Sequence, residues 1–99
     1  MRVEWSGLAA GRVDEIADFI ASDSPAAALS FIERIYDAVG QLGEFPLSGK
    51  PARDVETEGA RELVFESYRV FYDVGECVQI LTVRQCREQV DESELVRTD

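Results

Sequence analysis

The sequence predicts an α+β fold in the order β-α-α-β-β-β, an antiparallel sheet with a helix hairpin packed on one face. Three observations predict it. Apolar residues recur at helical spacing in two successive stretches between Leu8 and Leu42. Between them, "ASDSPAAA" (21–28) carries a helix-start signal. From Arg61 to Gln85 the chain turns to β-branched and aromatic residues in runs of strand length. Consecutive strands of a meander pair with their neighbours, so the sheet is expected to be largely antiparallel.

The elements follow in order. "RVEWS" (2–6) is a short strand, with Val3 and Trp5 bracketing Glu4, and Trp5 is expected to fill core under the first helix. In that helix Val13, Ile16, Ala17 and Ile20 make the apolar stripe, and Arg12, Asp14, Glu15 and Asp18 take the solvated positions. Ser24 then suits an N-cap with Pro25 at the first helical position, where a missing N–H costs nothing. Ala28, Phe31, Ile32, Ile35, Val39 and Leu42 line the second helix. Gly40 and Gly43 weaken its end, and "FPLSGKP" (45–51) stops it. "SGKPARDVETEGA" (48–60) reads as a polar loop, and its "SGK" as turn chemistry, since the glycine spacing of a phosphate loop is missing. Strands are expected at about 61–66, 68–74 and 77–85. Residues from about 88 to 99 form an acidic tail or one short helix, with Val90, Leu95 and Val96 to bury.

The strands separate into two faces. With Glu66-Ser67 as one turn and Gly75-Glu76 as the next, the helix side receives Leu63, Phe65, Tyr68, Val70, Tyr72, Val74, Leu81 and Val83, joined by Cys77 and Gln79. The other side receives Glu62, Val64, Arg69, Phe71, Asp73, Val78, Ile80, Thr82 and Arg84. That mixture of apolar groups and arginines is a candidate contact surface. The alternative is a solvated face with cross-strand pairs such as Glu62–Arg69 or Arg69–Asp73.

Composition narrows function. Ninety-nine residues make a single domain spanning 1–99. No apolar run is long enough to cross a bilayer and no secretory leader pattern opens the chain, so a cytoplasmic protein with no membrane contact is expected. Cys77 and Cys86 lack metal-ligand spacing and read as ordinary small residues. Neither a metal nor a cofactor is expected. A net charge of −10 repels phosphate backbones, so this chain alone is not expected to bind DNA. Histidine is absent, which excludes every mechanism built on it.

In this setting several segments resemble the ParE/RelE superfamily of toxins from type II toxin–antitoxin modules. They are "VEWSGLA", "IADFIASDSPAAALSFIERI", "LGEFPLSGKPARD", "GARELVFESYRVFYDV" and "VQILTVRQCRE", and they cover nearly the whole chain in the family's order. The resemblance implies the fold derived above, and two activities. ParE-like members poison DNA gyrase by binding it. RelE-like members cut messenger RNA on the ribosome with a cluster of Arg, Lys and a late Tyr or His. For the second activity the resemblance matches Arg61 to the family's arginine in the first meander strand, and either Arg84 or Arg87 to the one on the last strand. RNA cleavage also needs a base for the ribose 2′-hydroxyl, and no Tyr, His or Lys follows Arg87. The resemblance therefore points to a ParE-like, non-enzymatic toxin that pairs with a cognate antitoxin. RelE-like cleavage is the alternative, as is an inert relative kept as a complex partner. Candidate antitoxin- or target-binding residues are Arg61, Arg69, Phe71, Ile80, Arg84 and Arg87. Arg69 and Arg84 are expected to meet carboxylates of the antitoxin.

Overall fold

A computed structural model describes residues 1–97, so Thr98 and Asp99 of the expected tail lie outside the described residues. The chain runs β1 (Val3–Trp5), α1 (Gly7–Ala21), α2 (Pro25–Gly40), β2 (Lys50–Pro51), β3 (Arg61–Phe65), β4 (Tyr68–Val74) and β5 (Val78–Gln85). Short 3-10 turns occupy Gln41–Gly43 and Glu92–Glu94. Two helices pack against a five-stranded mixed sheet of order β1-β5-β4-β3-β2, in which β1 runs parallel to β5 and the other pairs are antiparallel.

Both helices start where their caps dictate. Ser6 Oγ accepts from the Ala9 amide at 3.0 Å and donates to the Leu81 carbonyl at 2.9 Å, which ties the start of α1 to β5. Ser24 accepts from the Ala27 amide at 3.1 Å, with Pro25 opening α2 as expected. The two apolar stripes meet the sheet in one core. Val13, Phe31, Ile35, Val39 and Leu42 pack there with Val70, Tyr72, Val78, Ile80 and Val83. Trp5 packs against this core and lies 4.5 Å from the Tyr36 ring, centroid to centroid.

The β3–β4 hairpin has the expected register, with Arg61 opposite Tyr72, Leu63 opposite Val70 and Phe65 opposite Tyr68. Glu66 turns it with φ 53°, a left-handed conformation unusual for a side-chain-bearing residue. The β4–β5 pairing departs from strict alternation. Phe71 faces Thr82, but Tyr72 faces Ile80, so Leu81 is an extra residue in β5. Three corrections follow. Val78 and Ile80 lie in the helix-side core and not on the opposite face. Leu81 lies on the opposite face with Phe71. Gln79 pairs with Asp73 and leaves the helix side, while buried Cys77 sits in the turn beside Arg97. A bulge carries no composition signal in this run of apolar residues, which is why alternation missed it.

The opposite face is also covered. Phe71, Leu81, Ala60 and Leu95 form a second small core, flanked by Ala52, Val55 and Val90. The segment read as a featureless loop adds a strand at Lys50–Pro51 and then crosses this face, and the tail crosses it from the other side. The expectation of an open, mixed contact face is therefore corrected. Val96 of the tail stays exposed, whereas Leu95 is buried.

Candidate functional site

β4 and β5 turn Arg69 and Arg84 toward the covered face, and each is held by carboxylates of this same chain. Arg69 Nε donates to Glu62 Oε2 at 2.6 Å, and its Nη1 donates to Asp54 Oδ2 at 3.0 Å. The guanidinium also lies 4.6 Å from the centre of the Phe71 ring. The Asp54 hydrogen bonds, with help from Glu62, raise the Arg69 pKa against the opposing effect of burial. In return Arg69 holds the Asp54 carboxyl below its usual range. The cross-strand Glu62–Arg69 pair foreseen as the alternative is formed.

Arg84 belongs to a second cluster. Its Nε donates to Glu94 Oε1 at 3.2 Å, its Nη2 to Glu94 Oε2, and its Nη1 to Glu88 at 3.4 Å. The Thr82 hydroxyl donates to Glu94 Oε1 at 2.7 Å, and Arg12 Nη2 reaches Glu94 Oε2 at 2.9 Å from α1. Burial alone would raise the Glu94 pKa, but Thr82, Arg84 and Arg12 together bring it below the ordinary value. One carboxylate thus binds three side chains from two elements.

Arg61 has a third environment. Its Nη2 donates to the carbonyls of Gly49 at 2.7 Å and Leu47 at 3.2 Å, clamping the loop after α2. The Tyr72 hydroxyl shares this knot, donating to the Pro46 carbonyl at 2.9 Å and accepting from the Gly49 amide at 3.1 Å. Gly49 is required there, because a Cβ would lie 2.5 Å from the Tyr72 hydroxyl oxygen.

Arg87 lies beyond β5, exposed beside an open cleft with Ser67, Tyr68, Gln85 and Cys86. Ile80, a candidate contact residue, is completely buried, because the Leu81 bulge turns it under the helices. Phe71 is equally buried, beneath the second core. Of the six sequence candidates only Arg69, Phe71 and Arg84 share a face, and that face is roofed. Among the described residues no group of three or more His, Cys, Asp or Glu side chains is placed to hold a metal.

Exposed large apolar side chains lie elsewhere, Phe19 and Leu29 on the helices among them. Val64 on β3 is 54% exposed, and Phe45 and Leu47 after α2 are 59% and 67% exposed. β3 has a partner on its outer side only at Arg61 and Glu62, so Leu63–Phe65 present a free sheet edge among the described residues. An open cleft lined by Ser48, Gly49, Lys50, Glu62, Leu63 and Val64 adjoins that edge. The exposure of Phe45 and Leu47 had its signal in "FPLSGKP", hidden because the segment also reads as a helix stop. Sequence reading also missed Arg12, Asp54 and Glu94, whose partners are distant in the chain.

Comparison with known proteins gives a consistent result. A family model described as the ParE toxin of the type II toxin–antitoxin system parDE matches residues 3–90. Y4kP of Sinorhizobium fredii, named as a candidate toxin, is 40% identical over 90 residues, which is 89% of this chain and 91% of that protein. Among solved structures, the chromosomal ParDE toxin–antitoxin system of P. aeruginosa superposes with a TM-score of 0.73 at 28% identity. That match covers 86% of this chain and 95% of the other. The RelBE2 toxin–antitoxin complex of Mycobacterium tuberculosis shares the fold, with a TM-score of 0.61 at 24% identity over 85% of this chain and 88% of that one.

Proposed function

The chain belongs to the ParE toxin family of type II toxin–antitoxin systems, and on that premise we propose that it acts in the cytoplasm by binding a protein target such as DNA gyrase, without cutting RNA, until a cognate antitoxin neutralises it. The observation that carries this reading is the internal neutralisation of Arg84, one of the three arginines that RNA cleavage would draw on. Phosphoryl transfer from RNA needs free cations to stabilise the charged phosphorane, and a base to take the 2′-hydroxyl proton. Here Glu94 and Glu88 hold the Arg84 guanidinium and the Gly49 and Leu47 carbonyls engage Arg61, while Arg87 stays exposed. The sequence supplies no histidine, and no Tyr, His or Lys after Arg87.

For the antitoxin, the free edge of β3 with its exposed Val64 supports docking of an extended segment. An antitoxin carboxylate directed at Arg69 or Arg84 would have to displace one already bound.

Two assays test the reading. Added to purified gyrase, the chain is expected to lower supercoiling, with relief on adding antitoxin. Added to ribosomes programmed with messenger RNA, it is expected to leave the message intact. Clean cuts in the message that vanish in Arg61→Ala would replace the ParE-like reading with a RelE-like one. Inactivity in both assays and no growth arrest on induction would identify an inert relative.

A further inference from the structure

Residues 88–97 lie across the second sheet face in the manner of a bound peptide. Among the described residues, their backbone hydrogen bonds stay within the segment or run to the Gln85 carbonyl. Among the described residues no backbone ladder joins them to the sheet. Their anchors are side chains: Glu94 in the Arg12, Thr82 and Arg84 cluster, Glu92 on Thr57, and Arg97 on Asp73 and the Cys77 carbonyl. One fully seated apolar group accompanies them, Leu95, against Phe71, Leu81 and Ala60. The recognised unit is thus an acid followed by an aliphatic residue.

The cluster also offers more than Glu94 uses. Arg12 Nε is buried without an acceptor, because Glu94 meets that guanidinium only through Nη2 while also serving Arg84 and Thr82. An unmet buried donor is costly, so a ligand with a second carboxylate has an interaction to gain. Arg12 and Arg84 also line an open cleft with Tyr68 and Gln85, and Glu15 and Glu88 stand at it.

We propose that this face is a peptide-docking groove with an oxyanion cage, filled in cis by residues 88–97, and that its ligand in trans is a partner segment bearing an acid followed by an aliphatic residue. The Leu95 seat excludes a bare phosphate as the full ligand. The Arg12 donor left over favours a segment with two neighbouring acids. The groove needs no assumption about the cellular target.

The probe is a fluorescent synthetic peptide of residues 88–97, titrated into the full chain and followed by anisotropy. The cis segment competes at high effective concentration, so wild type is expected to bind the peptide weakly. A full-length chain carrying Glu94→Gln and Leu95→Ala is expected to bind it at least ~10-fold more tightly. A peptide whose own glutamate at 94 is Gln is expected to lose that gain, and one with Ser93→Glu to exceed it. A folded Glu94→Gln/Leu95→Ala chain that ignores the peptide overturns the proposal. So does a dimer in light scattering that exchanges these segments, since the occupant is then a second copy. Hydrogen exchange on wild type decides the matter if that variant does not fold. The Leu95 amide is expected to exchange ~100-fold faster than the Phe71 amide, through local opening. Equal protection at the two amides means that the segment leaves only on global unfolding, and overturns the proposal.

Discussion

Arg69 holds Glu62, Asp54 and the face of Phe71 at once, and its side chain is 10% exposed beside a Glu62 that is 7% exposed. Removing one member of such a pair leaves the other charge buried without compensation. Arg69→Ala is therefore expected to lower stability by about 3–5 kcal/mol in urea unfolding. A loss under about 1 kcal/mol would put the pair in the class of exposed salt bridges. Aliphatic positions give an independent check on register. Ile80 is fully buried, and Ile80→Ala is expected to cost about 2–5 kcal/mol. Val64, on the rim of β3, is expected to lose less than about 0.5 kcal/mol as Val64→Ala. Leu63 is only half-buried, so its truncation belongs between the two. Equal losses at 80 and 64 would contradict the bulge at Leu81.

At the level of elements, the legible parts were those set by local chemistry. Ser24-Pro25 starts α2 through a cap and a fixed φ, and Leu63, Val70 and Tyr72 alternate because a two-residue turn at Glu66-Ser67 sets their register. The illegible parts depend on contacts distant in sequence. A single extra residue at Leu81 sends Ile80 inward, and Glu94 finds Arg12 from 82 positions away. The candidate site suffered most from this, since arginines on a mixed strand face look free until a roof of acids is known. That roof is pH-dependent in a definite direction. Glu94 has its folded pKa lowered, with burial opposed by Thr82, Arg84 and Arg12, and Asp54 has its own lowered by Arg69. Each contribution is therefore present above the ordinary carboxylate range and is lost as pH falls through the depressed folded value. Residues 88–97 are expected to detach as pH falls below the ordinary carboxylate range, before the β4–β5 core unfolds. Hydrogen exchange at Leu95 and at Val70 across that range measures it, and simultaneous loss of protection would refute a separable element.

For the molecule as a whole, the inward arginines decide what the surface presents. Arg12, Arg69, Arg84 and Arg97 spend their charge on Glu94, Glu62, Asp54 and Asp73, while Asp14, Glu15, Asp18, Glu33 and Asp37 remain exposed on the helices. The helices therefore present an acidic surface to a partner, with Lys50 the basic side chain at the β3 cleft. Such a field steers association and is screened beyond roughly 10 Å at 0.1 M salt. The β3 rim, by contrast, contributes apolar contact that salt does not screen. The two properties separate kinetically. An antitoxin with a basic segment is expected to associate ~10-fold or more faster at 50 mM than at 500 mM salt, while its dissociation rate changes by less than about threefold. Surface plasmon resonance across that range reads both rates. If salt acts chiefly on dissociation, buried ion pairs hold the complex. The antitoxin would then be displacing the internal carboxylates of Arg69 and Arg84, and the apolar rim of β3 would lose its place as the principal contact.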